Sequence, residues 1–158
     1  MVKLSHVDKN NKPRMVDISE KIKSERNAHA QSIIFLPNEV ASQIIGEEIT
    51  TKKGPVFSTA IIAGVMAAKN THQLIPFCHP IGLDSCDIEI DVIGSTLKIS
   101  CYCKVIHKTG VEMEALVGAT VAALTIYDML KAISHDIVIG ETKLISKTGG
   151  KQDFIREE

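Results

Sequence analysis

The sequence predicts an α+β fold, in which an antiparallel sheet carries helices on one face. Three observations predict it: a hairpin that alternates apolar and polar residues, two helical segments rich in small apolar residues, and the element order β-α-α-β-β-α-β. Apart from one extra short helix, this is the ferredoxin-like, split βαβ plan. A chain of 158 residues suffices for one core. We predict a flexible N-terminal arm (1–18), a single catalytic domain (19–151) and a C-terminal tail (152–158).

The first strand and the extra short helix follow the polar arm. A strand is predicted over 26–36. Residues 37–45 are predicted to be the short helix, because Pro37 suits a first helical turn and Gly46 suits a helix stop.

A second helix is predicted from Gly54 to about Thr71, with a face of small residues suited to close packing. The segment 72–82 that follows contains two prolines, so it cannot continue a helix or form a central strand. We therefore predict a stiff loop that holds the side chains of Cys78 and His79 in place.

The hairpin carries the clearest periodic signal in the chain. Its apolar residues alternate with charged or polar ones, which is typical of a sheet with one buried and one wet face. If Gly94-Ser95 forms the turn, Asp91 faces Lys98 and Cys86 faces Cys103. The opposite charges of the first pair favour this register.

A long helix is predicted over 111–133, and a last strand lies within 137–147. Glu112 and Glu114 fall in the first turn of the helix, where the helix dipole favours acids. The middle of the helix has almost no charged face, which indicates burial on all sides. In a chain this small, a partner subunit would have to cover one of those sides.

Composition and charge limit the classes of partner and compartment. A net charge of −1 provides no overall positive field for nucleic acid, and the three arginines are outnumbered by lysines, which suit a small anionic ligand. The N-terminus is polar and no apolar run reaches membrane length, so we expect a cytoplasmic protein with reduced thiols. The most economical interpretation of Cys86, Cys101 and Cys103 is that they are small buried hydrophobic residues.

Three lysine–glycine segments could hold phosphate groups. They lie at 52–54, 108–110 and 147–151, and the first two directly precede predicted helices. Free N–H groups, the helix dipole and a lysine together form an anion site, and glycine allows the backbone to come close to the anion. None of the segments has the spacing of a Walker A loop.

His79, held between the prolines, could bind substrate, relay protons or only make a hydrogen bond. We predict no protein metal site, because no zinc-type spacing occurs and Cys101 and Cys103 point to the buried face of the hairpin.

Two charged groups lie on the long helix. Asp128 and Lys131 are three residues apart and are therefore neighbours on one face of the helix. If this face lies at a buried edge, the two residues could serve in proton transfer. An exposed ion pair is the plainer interpretation. Glu114 and Asp128 are 14 residues apart, which is roughly 21 Å along a helix. If both belong to one site, two chains must supply it.

Together these residues resemble the MoaC family along nearly the full chain. The stretches that carry the resemblance are LIPFCHP at 74–80, KTGVEMEAL at 108–116 and VAALTIYDM at 121–129, with shorter matches at 15–19, 53–54, 62–64 and 147–151.

The resemblance implies an enzyme that converts 3′,8-cyclo-7,8-dihydro-GTP to cyclic pyranopterin monophosphate and pyrophosphate. It also implies hexamers, built as trimers of dimers, with sites between subunits. No cofactor is implied, although Mg²⁺ can accompany the triphosphate. By motif, Asp128 would be the catalytic acid or base, aided by Lys53 and Lys131. The substrate-binding residues would be Phe77, Cys78, His79, Glu112, Met113, Glu114 and Lys147.

Two departures from the family pattern stand out: Ile61 replaces a common arginine, and the ending GGKQDF is shortened. Two other functions remain open at this point. One is a non-catalytic nucleotide-binding module that regulates a partner, and the other is a purely structural oligomer. Asp128 favours the enzyme, because a simple anion binder gains nothing from a carboxylate beside a phosphate.

Overall fold

The computed structural model describes residues 7–8, 10 and 12–157, so the predicted arm lies partly outside the described residues. An antiparallel sheet carries helices on one face, which confirms the predicted fold class. The elements are β1 (Ser24–Phe35), α1 (Asn38–Ala41), β2 (Thr50–Thr51), β3 (Gly54–Pro55), α2 (Val56–Lys69), α3 (Thr71–Leu74), β4 (Ser85–Ile93), β5 (Thr96–His107), α4 (Glu112–Leu130), β6 (Val138–Thr148) and β7 (Phe154–Ile155).

The main sheet has the strand order β4-β5-β1-β6-β7, and its neighbouring strands are antiparallel. The first four of these strands give the split βαβ arrangement. The predicted register of the β4–β5 hairpin is confirmed, since Asp91 pairs with Lys98 and Cys86 with Cys103. The Lys98 ammonium lies 2.9 Å from the Asp91 carboxylate.

Helices α2 and α4 pack against each other over the sheet, with α4 across β1, β5 and β6 and α2 over β4. Their contact depends on small residues. A side chain added at Gly64 would come within 2.8 Å of the Gly118 carbonyl oxygen, so the two backbones pass at close range. A core with few aromatic rings allows this close approach.

Several predicted boundaries are wrong. The short helix covers only Asn38–Ala41, and the chain then turns before Gly46, whose φ is +64°. Helix α2 begins at Val56 rather than at Gly54, because Gly54-Pro55 pairs with Thr50-Thr51 in a small hairpin. Residues 71–74 form one helical turn where a loop was predicted, and the buried Thr71 hydroxyl donates to the Ala68 carbonyl oxygen (2.9 Å).

By length and composition, α4 passes as a membrane span, which contradicts the expectation that no apolar run is long enough. Half of it is buried inside the fold, however, as in the core helix of a globular domain. On its outer side, Leu124 is 53% exposed. Ile62 and Met66 of the neighbouring helix α2 are exposed as well.

The C-terminal tail adds a short strand that was not predicted. Phe154–Ile155 pairs with Ser146 and Lys147 of β6, and the Arg156 guanidinium donates to the Leu144 carbonyl oxygen (2.8 Å). The shortened ending therefore folds back along the strand that carries Lys147.

Candidate active site

A cavity of about 390 Å³ lies at the first turn of α4, and we call it the first-turn cavity. It forms where the segment after α3 meets the start of α4 and a stretch of the N-terminal arm. The structure brings together here six of the residues predicted to bind substrate: Phe77, Cys78, His79, Glu112, Met113 and Glu114. Its remaining walls are largely apolar and are formed by Val16, Ile18, Lys21, Ile81, Thr109 and Gly110.

His79 is held by the arm. Its Nε2 lies 2.7 Å from the Val16 carbonyl oxygen, which can only accept a hydrogen bond. Nε2 therefore carries the proton and donates, which fixes the orientation of the ring. The arm thus forms part of the cavity wall, a role that its polar sequence did not indicate.

Glu114 is the buried acid of this cavity, with 3% of its surface exposed. Burial, together with the nearby charge of Glu112, raises the pKa of Glu114 to about 7. Burial and the charge of Glu114 also raise the pKa of Cys78. Near neutral pH, Cys78 is therefore a thiol rather than a nucleophilic thiolate, while Glu114 can give or take a proton.

A second cavity of about 220 Å³ adjoins the first, and we call it the cationic cavity. Two of the three lysine–glycine segments converge on it, 108–110 and 147–151. Glu112 is the acid of its lining, and its carboxylate lies 3.0 Å from the Lys147 ammonium. The five cations of the lining are Lys21, Arg26, Lys108, Lys147 and Lys151.

Strand order explains this convergence. β1 lies between β5 and β6, so its start meets the ends of both strands. Arg26 of β1 donates to the His107 carbonyl oxygen at 3.3 Å. The glycines serve close packing here: a side chain at Gly110 would collide with the Glu112 carboxylate, and one at Gly149, where φ is +83°, would collide with the Glu25 backbone.

The remaining lysine–glycine segment, 52–54, does not have the predicted free helix terminus. The Glu48 carboxylate accepts hydrogen bonds from the backbone N–H groups of Phe57 (2.7 Å) and Ser58 (3.1 Å) at the start of α2. It also accepts from the N–H of Ile49 and the hydroxyl of Ser58. An acid of the chain itself therefore occupies the position that an anion would need.

Lys53 instead joins the charged group at the other end of α4. Its ammonium lies 3.2 Å from the Asp128 carboxylate, and that of Lys131 lies 2.7 Å away. The two lysines lower the pKa of Asp128, and Asp128 raises that of Lys131. All three side chains are about half exposed in the single chain, which agrees with the plainer interpretation of Asp128 and Lys131 as an exposed ion pair.

The predicted site residues thus form two groups at opposite ends of one helix. Helix α4 is uninterrupted from Glu112 to Leu130, so Glu114 and Asp128 are separated by roughly 21 Å along its axis. One chain therefore cannot bring both groups to the same small substrate.

Six residues that line the cavities were not predicted as site residues: Val16, Ile18, Lys21, Arg26, Asn27 and Ile81. Of these, Val16 and Ile18 had a usable signal, because they lie within the 15–19 stretch of the family resemblance. Ile61, at the position of the common family arginine, is partly buried and packs against the core.

Comparisons with known proteins show the family of this chain. The model of the MoaC family matches residues 15–150. The cyclic pyranopterin monophosphate synthase of Xanthomonas campestris pv. campestris strain B100 is 52% identical, with 96% of this chain and 93% of that protein covered. The synthase of the same name from Thermoanaerobacter pseudethanolicus is 48% identical, and 98% of each chain is covered.

A longer relative contains a similar sequence as part of a larger protein. Molybdenum cofactor biosynthesis protein 1 of Dictyostelium discoideum is 56% identical over 93% of this chain, which spans only 26% of that protein.

Proposed function

Since this chain belongs to the MoaC family, we propose that it is a cyclic pyranopterin monophosphate synthase, a lyase that acts early in molybdenum cofactor biosynthesis. Its substrate is 3′,8-cyclo-7,8-dihydro-GTP, and its products are cyclic pyranopterin monophosphate and pyrophosphate. Relatives with the synthase name match this chain over nearly their whole length, which supports the assignment. We place the enzyme in the cytoplasm.

The observation that carries the proposal is the junction of the two cavities at the start of α4. They share Lys21, Thr109, Gly110 and Glu112, so they form one continuous cleft. The first-turn cavity, which combines apolar walls with polar and acidic groups, suits the fused ring of the substrate, and the cationic cavity suits its triphosphate. Any Mg²⁺ would enter with the triphosphate, whose charge it would share with the lysines.

Each part of the cleft has a step to perform. The ring rearrangement needs protons to be moved, and Glu114, with its pKa near 7, is one group suited to this. A ribose hydroxyl then attacks the α-phosphorus and forms a new P–O bond. The bond between the α-phosphorus and the bridging oxygen breaks, and pyrophosphate leaves with that oxygen. Cations such as Lys147 stabilise the charge that develops on the phosphates.

A second copy of the chain completes the site by placing its Lys53–Asp128–Lys131 group opposite the cleft. In that environment Asp128 acts as the acid or base, and Lys131, whose pKa Asp128 raises, stays protonated and positively charged beside it. The exposed apolar residues Ile62, Met66 and Leu124 are suited to such an interface. We propose a homo-oligomer, specifically the trimer of dimers that the family resemblance implies.

The test is mass spectrometry of a reaction that contains the purified protein and 3′,8-cyclo-7,8-dihydro-GTP. Cyclic pyranopterin monophosphate with an equal amount of pyrophosphate is expected. If an assembled, folded protein binds the substrate but leaves it intact, the catalytic assignment is wrong and a nucleotide-binding module takes its place. If calorimetry shows no binding of the substrate or of GTP, the protein is a structural oligomer.

A further inference from the structure

Three cysteines that the proposed reaction does not use form a triangle of sulfur atoms inside the fold. Cys86 lies on β4, and Cys101 and Cys103 lie on the facing side of β5. The Sγ atoms of Cys86 and Cys103 are 3.8 Å apart, and those of Cys101 and Cys103 are 3.9 Å apart. All three atoms lie within 4.8 Å of one another.

Two sulfurs of the triangle are buried in the core, and the third is partly exposed to solvent. Cys101 and Cys103 are buried, and a side chain added at Gly118 of α4 would come within 2.6 Å of the Cys101 sulfur. Cys86 is only half-buried and lies on β4, an edge strand of the sheet. A small solute can therefore reach Cys86 from the edge of the sheet, while α4 covers the Cys101 sulfur on the opposite side.

We propose that Cys86, Cys101 and Cys103 bind one Cu(I) ion per chain in a three-sulfur site. Soft thiolate ligands select Cu(I), zinc and iron–sulfur clusters among biological metals. With metal–sulfur distances of about 2.3 Å, as in zinc thiolates, a trigonal ion holds its sulfurs about 4.0 Å apart. The two measured edges of the triangle are already close to this value.

The number of ligands favours Cu(I) over zinc. Structural zinc takes four ligands, whereas among the described residues this group contains three and no His, Asp or Glu joins it. A monovalent ion that accepts three thiol ligands satisfies the triangle without further groups.

Cu(I) itself is the probe for the test. Reduced, metal-free protein is titrated anaerobically with Cu(I) held by bicinchoninate, and the wild type is compared with Cys86→Ser and Cys78→Ser. Cys78 is the matched control, because it is a half-buried cysteine in a different cavity. Circular dichroism establishes that each variant is folded, and Cys86→Val provides a second, apolar replacement at the strand position.

We expect one tightly held Cu(I) per chain in the wild type and in Cys78→Ser, and affinity more than about 10-fold weaker in both Cys86 variants. X-ray absorption at the copper edge should show three sulfurs at about 2.3 Å. Equal copper binding by the folded Cys86 variants would overturn the proposal, and so would loss of copper in Cys78→Ser. The Cu(I) proposal would also be wrong if the reduced protein bound no copper and mild oxidation formed a disulfide between Cys86 and Cys103 instead. Copper is measured here without substrate, so the outcome does not depend on the proposed synthase activity.

Discussion

The Lys147 ammonium lies 3.0 Å from the Glu112 carboxylate, and this ion pair joins the end of β6 to the first turn of α4. Both residues line the cationic cavity, and Glu112 also lines the first-turn cavity. The pair therefore lies where the two parts of the proposed cleft meet, and an arriving phosphate would compete with Glu112 for Lys147.

Removing the Lys147 charge should weaken catalysis more than folding. We expect Lys147→Ala to lower kcat/KM by about 100-fold, because one positioned donor is lost from the charge that develops on the phosphates. Lys143→Ala is the control, since Lys143 lies on the same strand and pairs with Glu141 away from the cleft. Steady-state kinetics of both variants measure this difference in kcat/KM. Similar kcat/KM values in the two variants would remove Lys147 from the mechanism.

Mixed oligomers test whether two chains share a site. Asp128→Ala and Lys53→Ala should each abolish turnover while the oligomer stays intact, and Lys147→Ala should be strongly impaired. When Asp128→Ala and Lys147→Ala chains are dissociated and reassembled at equal amounts, shared sites recover about a quarter of wild-type activity, because half of the dimers are mixed and one of their two sites is intact.

The control for this experiment mixes the two proteins without dissociation, which should restore nothing. Activity in the reassembled mixture that stays at the level of the separate variants would mean that each chain works alone. That result would contradict the geometric argument from α4.

Glu114 should make stability depend on pH. Its pKa is raised from 4.5 to about 7, so the folded chain binds more protons than the unfolded chain between these values. The free energy of unfolding should therefore fall as pH rises from about 4.5 to about 7. Above that range Glu114→Gln should be more stable than the wild type by roughly 3 kcal/mol, whereas the two should agree at pH 4.

Urea unfolding at pH 4 and pH 8, at one chain concentration, measures this difference. Glu89→Gln serves as the comparison, because Glu89 is an exposed carboxylate on β4. If Glu114→Gln gains no more stability at pH 8 than Glu89→Gln does, the buried carboxyl is not destabilising the fold.

Glu48 should be a positioning residue for Lys53. Glu48→Ala leaves two N–H groups at the start of α2 without their acceptor, and we expect a loss of about 1–2 kcal/mol in the free energy of unfolding. Turnover should fall as well, because the 48–58 segment carries Lys53. The neighbouring Glu47→Ala, an exposed position, should leave both quantities nearly unchanged.

The acid side of the stability curve provides a second readout for Glu48. Burial acts to raise the pKa of Glu48, but the hydrogen bonds from Phe57, Ser58 and Ile49 outweigh it and lower the pKa. The stabilisation is therefore present above about pH 4.5 and is lost as pH falls through the lowered value. In Glu48→Ala, the free energy of unfolding should not show this decrease at acid pH. If the variant loses as much stability at acid pH as the wild type does, the decrease belongs to other groups.

Elements with a strong local pattern were predictable from the sequence. The alternation in β4 and β5, with its Asp91–Lys98 pair, gave the correct hairpin register, because side chains on a strand alternate with period two. The small-residue face of α2 predicted close packing, and the nearly uncharged middle of α4 predicted its burial. The boundaries near Gly54 and Thr71 were wrong, because hydrogen bonds with non-adjacent segments outweighed local propensity there.

The fold class, the family and the separation of Glu114 from Asp128 follow from the sequence alone, since each depends on periodicity, motif order or helical rise. Four other features became visible only in the folded chain: Glu48 occupies the start of α2, the tail pairs with β6, 108–110 meets 147–151, and three sulfurs form a triangle. These features join residues far apart in the chain. Strand order and the paths of loops bring them together, and a local sequence pattern does not specify which distant partner a side chain will meet.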